Sequence, residues 1–120
     1  MKVGKVGTVN SKIISKLHLD TTVSDIFIGQ SNINHMIKKH PIDYEKYSKH
    51  LKSILNKPDY IRLNRKDGSI EYVKEFKINN EFVKVAVRVS NSDKWYVRSM
   101  YVLNNNRVRS YIEKGHLIKY

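Results

Sequence analysis

Two histidines five residues apart, His35 and His40 in Asn32-Ile33-Asn34-His35-Met36-Ile37-Lys38-Lys39-His40-Pro41, are the side chains of this sequence best suited to move protons near neutral pH. Cleaving an RNA phosphodiester without a metal needs a base for the 2′-hydroxyl proton and an acid for the leaving oxygen. It also needs cations around the charge that develops on phosphorus. Five helical steps put two side chains about 140° apart, so His35 and His40 do not stack on one face. They can still bracket a groove, one from the flank of a helix and one from its end. The plainer readings are a solvated His35 and a structural His40 whose phase matches the core face.

The cations come from segments with a different period. Between Glu81 and Ser90, Val83, Val85, Val87 and Val89 point one way and Phe82, Lys84, Ala86, Arg88 and Ser90 the other. Lys84 and Arg88 then share a face about 13 Å apart, a spacing that suits a phosphate track. The following segment, Trp95 to Leu103, is expected to carry Trp95, Ser99 and Tyr101 on one face and Arg98 on the other. The preceding one places Lys74 in phase with Tyr72 and Phe76, an unusual position for a lysine in a core. Lys38, Lys74, Lys84 and Arg98 are the candidate nucleic-acid contacts, against the alternative of cations lying along an open sheet face.

These residues need elements to hold them. Asn10 or Ser11 is expected to cap a short helix with Ile13, Ile14 and Leu17 on one face, whereas Lys2 to Val9, with Val at every third position, matches neither period. Val23 to Ile28 reads as a buried strand ended by Gly29. Ile33, Met36, Ile37 and His40 mark a helix that must stop before Pro41, and Pro41 opens another with Tyr44, Tyr47, Leu51, Ile54 and Leu55 as its stripe. Then the period changes to two. Ser69 to Ile78, Glu81 to Ser90 and Trp95 to Leu103 form an antiparallel meander with turns at Asn79-Asn80 and Asn91 to Lys94. A helix from about Asn105 to Lys114, capped by Gly115, and an edge strand at Leu117 to Tyr120 complete an α+β fold.

Composition narrows the function. The 120 residues suit one domain, and 23 Lys and Arg against 11 Asp and Glu give a net charge of +12. Positions 1 to 60 hold 10 basic and 5 acidic residues and positions 61 to 120 hold 13 and 6, so the excess is spread over a folded surface rather than gathered in a tail. A polyanion is the expected partner. The absence of cysteine excludes disulfides, thiolate zinc sites and cysteine nucleophiles. The five His are not at ligand spacings, so no metal is expected; His18, His50 and His116 read as surface residues. No Gly-rich phosphate loop is present, so no nucleotide cofactor is expected either. With no long apolar run and no secretory leader pattern, membrane association is not expected.

The stretches Asn34 to Pro41, Ile54 to Ile61, the valine-rich strand to Arg88 and Trp95 to Tyr101 resemble, over roughly residues 23 to 120, the phage-associated branch of the barnase, EndoU, colicin and RelE superfamily of ribonucleases. The resemblance implies amino-terminal helices packed on a twisted antiparallel sheet and a metal-independent endoribonuclease of toxin type. It places the family's helix His on His35 or His40, its strand cation on Arg88, and its strand hydroxyl and aromatic on Ser99 and Tyr101. No glutamate stands out as base, so a His or Lys is expected to serve. RNA, either tRNA or mRNA, would be cut through a 2′,3′-cyclic phosphate, and an acidic immunity or antitoxin protein would be the natural partner. Action in the cytoplasm is expected, for a domain that could be delivered as part of a longer secreted or phage protein. The competing expectation is a non-catalytic basic RNA- or DNA-binding module of phage or mobile-element origin, whose cations only follow the backbone.

Overall fold

The computed structural model describes all residues 1 to 120. Strand β1 (Gly4–Val9) leads into helix α1 (Ser11–Leu17), capped by the Asn10 side chain, which accepts from the Ile13 amide at 2.9 Å. Strand β2 (Ser24–Ile28) ends at Gly29, whose amide donates to Asn32 Oδ1 and opens helix α2 (Gln30–Lys39). Pro41 starts helix α3 (Pro41–Tyr47), and a 3₁₀ turn at Ser48–His50 connects it to helix α4 (Leu51–Asn56). Strands β3 (Tyr60–Leu63), β4 (Ile70–Phe76), β5 (Glu81–Val89) and β6 (Trp95–Leu103) follow. Helix α5 (Asn105–Glu113) and the short strand β7 (Ile118–Lys119) close the chain.

All seven strands form one sheet in the order β1-β2-β6-β5-β4-β3-β7. Every pairing is antiparallel except β2 with β6, which run parallel over Ile26 with Trp95 and Phe27 with Tyr96. The long crossover from β2 to β6 is what allows that parallel pair. It carries α2 alongside the carboxyl-terminal half of β6, which β2 leaves unpaired. There Asp43 of α3 accepts a hydrogen bond from the Val102 amide.

Two bulges set which side chains meet. In β1 the pairing steps from Lys5 with Phe27 to Gly7 with Ile26, leaving Val6 as the extra residue. That extra residue is why Val6 and Val9, three apart, are both buried and why the segment fits no simple period. Gly7 makes a close approach there: a Cβ would stand 3.1 Å from Leu55 Cβ, so a larger residue requires Leu55 to give by a few tenths of an ångström. In β6 the pairing steps from Ser99 with Ala86 to Val97 with Val87, leaving Arg98 unpaired. Trp95 and Val97 are therefore buried beside Met100, and Tyr96 joins Ser99 and Tyr101 on the opposite face. The expectation that Trp95 shares a face with Ser99 and Tyr101 fails for this reason.

The apolar residues of α1 to α4 share one core with one face of the sheet, including Ile33, Met36, Tyr47, Leu51, Val83, Val85, Val87, Trp95 and Met100. Each fully buried aliphatic side chain here contributes about 1.5–3 kcal/mol. On the other face a smaller core of Val73, Leu103, Val108 and Leu117, with Phe82, Tyr101, Tyr111 and Ile112 against it, holds α5. Gly115, at φ 73°, ends α5: its amide bonds Ile112 O and the His116 amide bonds Tyr111 O. Smaller departures from expectation are local. Val23 is exposed before β2 begins, Ile78 is exposed in the β4–β5 turn, and His50 is half-buried against Phe76.

Candidate active site

The sheet face that α5 leaves open carries a row of polar residues in register across four strands. Arg62 on β3 faces Glu71 on β4, Glu71 faces Ala86 on β5, and Ala86 faces Ser99 on β6. One position along, Lys84 faces Tyr101.

Glu71 is buried and fully engaged. Arg62 Nη1 lies 3.0 Å from its Oε1, while Asn64 Nδ2 at 3.3 Å and Lys84 Nζ at 3.4 Å donate to its Oε2. The carboxylate thus holds two cations in place and accepts three hydrogen bonds on its two oxygens. Burial pulls the Lys84 ammonium toward lower pKa. The hydrogen bond to Tyr101 and the charge of Glu71 outweigh that pull, so its pKa is raised and Lys84 remains a cation.

His40 completes this cluster from outside the sheet. It ends α2, where its amide bonds Met36 O and its carbonyl accepts from the Tyr44 amide, so the break forced by Pro41 fixes its position. Its ring lies on the Tyr101 ring with centroids 4.8 Å apart and planes 23° from parallel. Lys84 Nζ also stands 4.8 Å from the centroid of the Tyr101 ring. His40, Tyr101, Lys84, Glu71 and Arg62 therefore form one continuous line.

A second cationic group lies toward the start of β6. Arg88 faces Tyr96 across the strands and Arg98 stands at the bulge; together with Ser31 and Asn32 of α2 they line a groove of about 350 Å³. Arg88 is tethered by Asp67 at 3.8 Å. The Asp67 carboxyl is held below its usual value first by the Ser69 amide and hydroxyl and then by the Arg88 charge. Helix α2 runs beside β6, with its first turn at Arg98 and the residue that follows it, His40, at Tyr101. His35, exposed and one turn beyond Ser31 and Asn32, lies between these two ends.

The candidate residues are thus distributed unevenly. His40, Tyr101 and Lys84 are brought together, Arg88 and Arg98 are brought together, and Ser99 is half-buried in the row between them. Lys38 is exposed on the last turn of α2. Lys74 stands apart: it is on the helix-bearing face, in register with Val83, and its Nζ donates to Lys57 O at 2.7 Å, closing the carboxyl end of α4. That answers why a lysine sits between two aromatics, and it removes Lys74 from the groove. Glu71, Arg62 and Tyr96 were missed, because only strand pairing brings them to the site. No three His, Asp or Glu side chains gather as a metal-holding group.

Comparison with protein families matches residues 4–110 to the family described as phage-Barnase-EndoU-ColicinE5/D-RelE like nuclease 3. No curated protein and no solved structure matches the chain.

Proposed function

The chain belongs to the phage-Barnase-EndoU-ColicinE5/D-RelE like nuclease 3 family, and from that membership we propose that it is a metal-independent endoribonuclease of toxin type. The carrying observation is the His40–Tyr101 stack, which sets an imidazole against the same tyrosine ring that the half-buried Lys84 ammonium contacts. In the proposed reaction the 2′-oxygen attacks phosphorus, the bond to the 5′-oxygen breaks, and a 2′,3′-cyclic phosphate remains. His35 and His40 divide the two proton transfers, one taking the 2′-hydroxyl proton and the other protonating the leaving 5′-oxygen. Lys84, Arg88 and Arg98 stabilise the charge on the phosphoryl oxygens, while Ser99 and Tyr101 orient the phosphate. Glu71 acts through Arg62 and Lys84 as a positioning residue. The same reading takes tRNA or mRNA as substrate in the cytoplasm and an acidic immunity or antitoxin protein as partner, in keeping with the charge of +12.

The test is incubation of the protein with total tRNA and with a long unstructured RNA in EDTA, with fragment ends analysed for cyclic phosphate. Discrete cyclic-phosphate fragments that disappear in the His35→Ala and His40→Ala variants support the proposal. Intact RNA that is nevertheless bound in a salt-sensitive way would replace it with the non-catalytic binding module.

A further inference from the structure

A second cationic cleft opens at the far end of the Glu71 row. It lies where the end of α1, the β3–β4 turn and the α5–β7 connection meet, and it encloses about 430 Å³. Lys16, His18, Arg62, Arg65, Lys66 and His116 line it, and no carboxylate does. Of its four Lys and Arg residues, only Arg62 is in an ion pair.

Several features keep the cleft cationic. The acid of the turn, Asp67, is engaged outside the cleft, accepting from the Ser69 amide and pairing with Arg88. The turn is shaped by Asn64, whose Oδ1 accepts from the Lys66 amide and whose backbone accepts from Gly68, at φ 75°. Arg65 and Lys66 are therefore presented on a fixed loop. The free carbonyls at the end of α1 are also satisfied internally, since Ile14 O and Ser15 O accept from Leu19 and His18 amides.

Arg62 joins this cleft to the candidate active site. It contacts Glu71 on one side, its guanidinium lies 5.6 Å from the Tyr111 ring centroid on the other, and Tyr111 neighbours His116. We propose that this cleft is a phosphate-binding subsite for the RNA strand beyond the scissile bond, with Lys16, Arg65 and Lys66 receiving the flanking backbone. A strand crossing the open face from α2 toward the β3 edge passes the Glu71 row and arrives there. The proposal rests on RNA being the substrate and extends that reading to substrate length.

The test compares Lys16→Ala/Arg65→Ala/Lys66→Ala with a control, Lys49→Ala/Lys52→Ala/Lys57→Ala, which removes the same charge beside α4. Two readouts are taken: kcat/KM on a dinucleotide and on a 20-nucleotide single strand, and binding of the labelled 20-mer in EDTA as salt is varied. The expected result is a loss on the 20-mer at least tenfold greater than on the dinucleotide, and a salt slope lower by about 2 because each phosphate contact contributes roughly 0.7. The control variant is expected to show neither effect. Equal losses on both substrates, or a salt slope matching that of wild type or of the control, would overturn the subsite. Binding also decides the matter if no RNA is cut: a selective drop in slope keeps the subsite while the catalytic reading falls. Inorganic phosphate bound as tightly as the 20-mer would reduce the cleft to an adventitious anion site and overturn it.

Discussion

The His40 ring rests on the Tyr101 ring at 4.8 Å, so a histidine at a helix end and a tyrosine on the half of β6 that β2 leaves unpaired share one position over the open face. Replacing His40 by Ala should lower single-turnover cleavage by about 10²- to 10⁴-fold while leaving RNA affinity within a few-fold. Tyr101→Phe keeps the stack and the Lys84 contact with the ring and removes only the hydroxyl, and its loss should be smaller. Near wild-type cleavage by the His40 variant would eliminate it as a proton-transfer group.

Glu71→Gln leaves Arg62 and Lys84 without their shared countercharge, and should cost about 3 kcal/mol in urea unfolding, as broken buried pairs do. Adding Lys84→Met should recover much of that stability, since a buried pair exchanged for an apolar contact is often neutral. Cleavage should not recover, because the phosphate has then lost its cation. Recovery of both together would assign Glu71 and Lys84 a purely structural role.

Arg98 is exposed and unpaired at the β6 bulge, so the fold depends little on it. Arg98→Ala should change stability by less than about 0.5 kcal/mol and weaken RNA binding modestly. Deleting the residue removes the bulge and leaves a one-to-one ladder in which Val97 still faces Val87 and Ser99 still faces Ala86. Trp95 and Val97 should then stay in the core, and the deletion variant should remain folded by circular dichroism at room temperature; an unfolded variant would show that the strand cannot run straight past this point.

Tyr72 is buried and its hydroxyl has no hydrogen-bond partner, with desolvation pushing its pKa far up. Tyr72→Phe should therefore be neutral or stabilising by up to about 1 kcal/mol in denaturant unfolding. A clear loss of stability would show that the hydroxyl has a partner after all.

Glu81 accepts from Lys46 Nζ and the Tyr47 hydroxyl, and these bonds hold its carboxyl below the ordinary value of 4.5. Its contribution to stability is complete above the unfolded pKa and is lost as pH falls through the lower folded one. Glu81→Gln should cost about 1–2 kcal/mol at pH 7 through the Tyr47 bond. The difference from wild type should shrink as unfolding is measured from pH 4.5 downward.

Much of this arrangement was legible in the sequence. The meander, the helix stop at Pro41, the Gly115 cap and the shared face of Lys84 and Arg88 follow from local rules that the tertiary structure does not override. What escaped were features with no local signature. The bulges at Val6 and Arg98 each insert one residue, which defeats a period-two reading, and β3 spans only Tyr60–Leu63. Glu71 meets Arg62 and Lys84 from 9 and 13 residues away through strand pairing, and nothing in its own neighbourhood marks it as the centre of the row.

Helix α5 limits how a polymer could lie on the sheet. By packing Val108 onto Val73 and Leu103, it walls off one end of the open face. A polymer laid lengthwise along the strands would run into that wall, whereas one laid across them has an exit at each rim. The two halves of a severed strand would then leave on opposite sides, neither having to pass the other.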